Sequence, residues 1–336
     1  MTIRSLRPLA RGQVVRLRFS SQALANNPWG DPAEREVPVY LPAGFSPSLK
    51  LPLMVSLAGY TSSGLAQVNW RGFEESLPER LDRLIASAAM GPVVVLMPDC
   101  FTTLGGNQYI NSPAVGAYAD YVLDELIGLV EAEFATDPAR RAVFGKSSGG
   151  YGAMVLAMRY PGRFAAAASH AGDVGFETLF KPAFPAVATA LRECQGDLAR
   201  FLKKFWNAKK IASADLGALM MCGMAASFDP DPSQSLGFCL PFDLNTCQVD
   251  QARWRNWLEH DPLVMLERHS KALKTLRKFY FDVGTRDEYH TQYGSRLLHA
   301  RLDILGVDHH FEEFDGTHSG IDHRLDVSLP MLYAAL

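Results

Sequence analysis

The sequence predicts an α/β fold: a mostly parallel central sheet flanked by helices, with a cap insertion between the sixth and seventh strands. Three features point that way. Short apolar runs alternate with amphipathic helical stretches from about residue 50 to 170, and again from 278 onward. Between about 175 and 270 that alternation stops. One strand also runs straight into Gly145-Lys146-Ser147-Ser148-Gly149, and a helix follows at once.

Residues 12–20 (GQVVRLRFS) and 36–41 (EVPVYL) carry alternating and β-branched side chains and are read as strands. Pro42-Ala43-Gly44 and Pro47 punctuate the next stretch. Residues 53–57 (LMVSL) suit a buried strand. Leu81, Leu84, Ile85, Ala88 and Ala89 then share one helical face, closed by Gly91-Pro92. Residues 93–97 (VVVLM) are a further strand, and Tyr118, Val122, Leu126, Leu129 and Val130 line a helix that stops before Asp137-Pro138. A short strand at 142–144 leads into the glycine-flanked serine, a small-residue helix spans 150–160, and 164–169 is strand again. Leu198, Phe201, Leu202 and Phe205 suggest one helix further on, but 223–246 is rich in Pro, Asp, Gly and Ser. We read 176–270 as a cap and 1–175 with 271–336 as the core. The alternation resumes with a strand at 278–283, a helix near 292–305, a strand at 309–314 and a final helix from about Asp322.

Composition narrows the function. The chain has 336 residues, 48% hydrophobic and 21% charged, which supplies a large core. The net charge of −3 and the lack of a Lys/Arg block argue against a nucleic-acid partner. The segment from Met1 to Pro8 lacks the roughly 7–15-residue apolar run of a secretion signal. No stretch reaches the roughly 18 apolar residues of a membrane span. Five cysteines, an odd number without a CxxC pair, fit reduced thiols. Together these lead us to expect a cytoplasmic protein without a membrane partner. Self-association into a homo-oligomer is compatible with the sequence and not fixed by it.

The chemistry centres on Ser147. The string Gly145 to Gly149 fits G-x-S-x-G, in which a serine hydroxyl is presented at the apex of a sharp strand-to-helix turn. Glycines two before and two after avoid collision with neighbouring backbone. The helix after the serine aims its positive end at the site, favouring developing negative charge. Gly145-Lys146-Ser147 is also the tail of a P-loop, but that motif needs glycine where this chain has Arg140.

Where such an elbow carries a nucleophile, its partners come later in the chain, in the order Ser, Asp/Glu, His. Asp287 lies just past a late strand, with Glu288 as adjacent competitor and Asp282, inside the strand, as a weaker one. His318 comes after the last strand, between Gly316 and Gly320. A metal cluster from Asp308, His309, His310, His318 and His323 matches no common ligand spacing, so we expect no metal and no cofactor. The oxyanion hole needs two backbone N–H groups. Ser148 is one candidate and Tyr60 the other, with Gly59 making room beside it. Tyr60, Trp70, Tyr109, Tyr151, Trp254 and Trp257 are candidates for an aromatic pocket, against packing in core or cap.

These residues resemble the putative-esterase family of α/β-hydrolases, which includes S-formylglutathione hydrolases, enterobactin-type esterases, feruloyl esterases and mycolyltransferases. The likeness rests on Val39-Tyr40-Leu41-Pro42, Leu57-Ala58-Gly59-Tyr60, Pro98-Asp99, the run from Gly105 to Ser112, the elbow, and Ser169-His170-Ala171-Gly172-Asp173. It implies an α/β-hydrolase fold with Ser147, Asp287 and His318 as a triad and oxyanion donors at Tyr60 and Ser148. It further implies hydrolysis of a small-molecule ester or thioester through an acyl-enzyme. The long stretch over 176–270 and Lys146 beside the nucleophile depart from the compact members. An acyltransferase with the same triad is the nearest alternative. A non-catalytic binding module of the same fold is a more distant one.

Overall fold

The computed structural model describes residues 10–336. The segment from Met1 to Pro8, considered for a secretion signal, lies outside the described residues.

Eight strands build the sheet: β1 (Gln13–Ser20), β2 (Glu34–Leu41), β3 (Leu53–Leu57), β4 (Val94–Leu96), β5 (Arg141–Lys146), β6 (Ala166–His170), β7 (Lys278–Gly284) and β8 (His310–Phe314). Their spatial order is β1-β2-β4-β3-β5-β6-β7-β8. β2 is antiparallel to β1 and to β4, and the remaining pairs are parallel. The continuous apolar runs of β3 and β4 are buried at every position, as strands covered on both faces must be. From β3 the chain steps outward to β4, then crosses back to place β5 on the other side of β3. That reversal opens a crevice beyond the carboxyl ends of β3 and β5, where open α/β sheets bind their ligands.

Helices cover both faces. Among the longer ones, α1 (Leu77–Ala86) starts in a capping box in which the Ser76 N–H donates to Glu79 at 2.9 Å. α2 (Ile127–Phe134) continues a π-type turn over Tyr121–Leu126. α3 (Ser148–Arg159) begins two residues earlier than its small-residue run suggested, because the elbow is its first turn.

The segment between β6 and β7 is helical: a single turn at Phe176–Leu179, then α4 (Phe184–Leu191), α5 (Leu198–Asn207), α6 (Ser213–Phe228), α7 (Gln251–Leu258) and α8 (Pro262–Leu273). α6 runs through Gly223, where the sequence suggested loop. Its second half is buried without interruption, so no apolar stripe marks it as a helix. Three of the others begin at aspartates whose carboxylates accept backbone N–H groups: Asp197 for α5, Asp250 for α7 and Asp261 for α8. An aromatic cluster of Phe176, Phe180, Phe228 and Trp257 seats this segment on the core, with Tyr151 of α3 in contact with Phe176 and Phe228. α8 packs along α3 and is the crossover helix that the parallel strands β6 and β7 require.

After β7 come α9 (Thr291–Leu305), β8, a 3₁₀ turn at Asp322–Arg324 and α10 (Leu325–Ala335). No helix among the described residues is long and apolar enough to cross a membrane.

Candidate active site

Ser147 sits between β5 and α3 with φ +57° and ψ −126°, a conformation that L-residues rarely adopt. The surroundings hold it there. The Ser147 N–H donates to His170 O at 2.9 Å, and Ser147 O accepts the Tyr151 N–H at 2.9 Å. A Cβ on Gly145 would come within 2.7 Å of Leu57 O, and one on Gly149 within 2.6 Å of the Leu57 carbonyl carbon. β3 therefore approaches the elbow as closely as bare backbone permits. Gly149→Ala is expected to cost roughly 1–3 kcal/mol through forced separation of β3 and α3, read as a fall in Tm.

His318 Nε2 lies 3.0 Å from Ser147 Oγ, and His318 Nδ1 lies 2.7 Å from Asp287 Oδ2. Asp287 is almost fully buried at the carboxyl end of β7, with its other oxygen accepting the Tyr289 N–H at 2.8 Å. Burial pushes its carboxyl pKa up, but the His318 hydrogen bond and charge outweigh that and hold it below the ordinary value. The two competing carboxylates are used elsewhere. Glu288 accepts the backbone N–H of His318 at 2.8 Å and so fixes the loop rather than the ring. Asp282 accepts from His170 Nδ1 at 2.7 Å and from Arg324 Nε at 2.8 Å. His170 Nε2 in turn meets Ser328 Oγ at 2.8 Å, tying β6, β7 and α10 together beneath the elbow.

Tyr60 and Ser148 line the same cavity as Ser147. As the first residue of α3, Ser148 has an N–H with no acceptor inside the helix. Gly59 faces the nucleophile: a Cβ there would lie 3.6 Å from Ser147 Cβ. The Tyr60 ring folds away over Gly105 and Gly106, with its hydroxyl donating to Leu104 O at 2.7 Å.

The cavity has a volume of about 770 Å³. Leu179, Phe180, Ala183, Val187 and Met220 give it an apolar wall from the inserted segment, while Arg71, Glu75, Lys146 and Asp322 stand at a charged side. Of the aromatic residues considered from sequence, Tyr60 alone lines it. Tyr109, Tyr151, Trp254 and Trp257 are buried in packing, and Trp70 is 71% exposed. An aromatic that the sequence did not single out is Tyr289, whose ring meets His318 edge-on at 4.7 Å.

Asp173 is a further group, which the sequence offers only as the end of the run from Ser169. It lies just past β6, buried in the cavity wall, and accepts from Gln108 Nε2 at 2.7 Å. Burial raises its carboxyl to about 6, against the lowering effects of Gln108 and His318. The folded protein thus holds this proton more tightly than the unfolded chain, whose value is near 3.8. The stability this proton confers is full below pH 3.8 and is lost as pH rises through about 6. Asp173→Asn is therefore expected to raise stability by roughly 2–3 kcal/mol at pH 8, with the gain vanishing below pH 4 in denaturant titrations.

Comparison with known proteins agrees with this architecture. The family described as Putative esterase matches residues 32–327. S-formylglutathione hydrolase of Mus musculus is 30% identical over 146 residues, covering 38% of this chain and 47% of that protein. An esterase of Mycobacterium tuberculosis is 35% identical over 97 residues, covering 26% of this chain and 20% of its own length. The chain thus spans about half, or less, of the length of these curated relatives. Among solved structures, a ferulic acid esterase superposes with a TM-score of 0.61 at 16% identity, covering 97% of this chain and 99% of its own. S-formylglutathione hydrolase from Agrobacterium tumefaciens gives 0.57 at 19% identity, with both chains fully covered. At such identities the likeness establishes the α/β-hydrolase fold. With the family match extending over most of its length, the chain belongs to the putative esterase family.

Proposed function

We propose that this protein is a serine esterase that hydrolyses carboxylic esters or thioesters through an acyl-enzyme, with residues 176–270, less the part of that range in the crossover helix α8, as its cap. The observation that carries this reading is the unbroken hydrogen-bond chain Ser147–His318–Asp287 at a backbone elbow opening into a cavity. His318 Nε2 accepts the Ser147 proton as Oγ attacks the carbonyl carbon, and the buried Asp287 carboxylate stabilises the imidazolium that forms. The Tyr60 and Ser148 N–H groups receive the developing oxyanion, assisted by the positive end of α3. His318 then returns the proton to the leaving alcohol or thiol. Water, deprotonated by the same ring, releases the acid. These steps use side chains and backbone of this chain alone.

The apolar wall built by Leu179, Phe180, Val187 and Met220 suits an ester with a hydrocarbon or aromatic group on one side of the scissile bond. Rate measurements across p-nitrophenyl esters of increasing chain length test this. The wild type is expected to accept medium chains, and Val187→Trp to shift the optimum to shorter ones. Free acid is the expected acyl product even with added alcohol. An ester product would assign acyl transfer instead.

A further inference from the structure

We propose that His299, Asp303 and His309 form a binding site for one borderline divalent transition-metal ion of the Zn²⁺ class, separate from the esterase site. His299 and Asp303 stand one turn apart on α9, and His309 immediately precedes β8. One ligand atom from each lies within 4.8 Å of those from the other two. None of the three residues lines the catalytic cavity. They lie toward the amino end of β8, whereas Ser147 and Asp287 come after the carboxyl ends of β5 and β7.

The rings are held before any ion arrives. His309 is packed face to face on Phe281 with centroids 5.7 Å apart, and its side chain is 4% exposed. His299 lies against Phe311 at 5.0 Å. His309 Nδ1 is 2.8 Å from the carbonyl oxygen of Val307, which makes Nδ1 the donor and leaves a lone pair on Nε2. This backbone anchoring is the arrangement that orients metal-ligating histidines. Nε2 points at His299 Nδ1, 2.7 Å away, with Asp303 Oδ1 at 3.8 Å.

A hydrogen bond between the rings does not complete the cluster. In the neutral ring, if His299 Nδ1 donates to His309, its Nε2 carries a lone pair 3.6 Å from the Asp303 carboxylate, an unfavourable pairing. With neutral imidazoles the three groups sum to one negative charge, and Asp303 sits in the last turn of α9, where the helix dipole also favours a cation. Metal–ligand bonds of about 2.0–2.1 Å at tetrahedral angles place ligand atoms about 3.3 Å apart. The two distances from His309 Nε2, 2.7 and 3.8 Å, bracket that value, and the third pair of ligand atoms lies within 4.8 Å. Two imidazoles and one carboxylate select Zn²⁺, Ni²⁺, Co²⁺ or Cu²⁺ over Mg²⁺ or Ca²⁺. The bound ion would pin the end of α9 to the start of β8. The spacing H-x-x-x-D followed six residues later by a histidine is visible in the sequence, but it belongs to no common ligand pattern.

Titration calorimetry of the metal-free protein with Zn²⁺, and separately with Mg²⁺, tests the site beside His299→Ala, Asp303→Asn and His309→Ala. One Zn²⁺ per chain is expected, with no Mg²⁺ binding and affinity at least tenfold weaker in each variant. A hundredfold excess over Kd is expected to raise the wild-type Tm by several degrees. His299 and Asp303 are solvent-facing, so those two variants keep the fold even if loss of the buried His309 ring does not. Ser147→Ala is expected to bind like the wild type, separating this site from catalysis. No Zn²⁺ binding, or unchanged affinity in both His299→Ala and Asp303→Asn, would overturn the proposal.

Discussion

Ser147→Ala is expected to lower kcat for an activated short-chain ester by about 10⁶-fold, the cost measured when the nucleophile of such a triad is removed. The fold is expected to survive. Ser147 Oγ meets His318 Nε2 across the site, while the elbow is held by backbone bonds to His170 and Tyr151 that alanine keeps. Parallel melting curves would confirm that activity and not structure was lost. A fall of only tenfold would mean that a different group attacks the carbonyl.

Asp287→Asn carries the second large effect, a drop in kcat of about 10⁴-fold. An amide at this position presents a donor to His318 Nδ1, which lies 2.7 Å from Oδ2, and so favours the tautomer that cannot accept the Ser147 proton. Glu288→Gln is the matched control. Glu288 accepts a backbone N–H through Oε2, which a glutamine oxygen also does, so its activity is expected to stay within about tenfold of wild type. Asp287 has its carboxyl pKa held below 3.8 in the folded state, so its stabilising contribution is present above that pH. That contribution is lost as pH falls through the lowered value, and Asp287→Asn flattens this part of the acid-denaturation curve.

The elements that position the site were legible because each left a local mark. The strand, elbow and helix around Ser147 are marked by the two glycines, and β3 does approach close enough to require them. Asp287 was separable from Glu288 only through geometry, since both occupy the same turn and one residue of rotation decides which carboxylate meets the ring. Asp282 lies inside a strand, which makes it the weaker candidate in the sequence, and it meets His170 instead.

The inserted segment was harder. α6 is apolar on all sides where it is buried, so it carries no period. The aspartates capping α5, α7 and α8 were a usable signal that stood among other polar residues. Trp254 and Trp257 look like ligand-binding aromatics in the sequence. Both instead pack with Phe184, Phe180 and Phe228, in the apolar layer that joins the inserted segment to the sheet core. Asp173 and Tyr289 reach the cavity from loops after β6 and β7, and only the sheet order brings those loops together.

Acylation of Ser147 during turnover is the step on which the proposed chemistry rests. Mass spectrometry of the protein after reaction with a fluorophosphonate reads that step, since the reagent traps the activated serine in place of an ester. One adduct per chain is expected, located on the peptide carrying Ser147 and absent from Ser147→Ala and from His318→Ala. An adduct on another serine, or an active enzyme that takes up no label at all, would rule out Ser147 as the nucleophile.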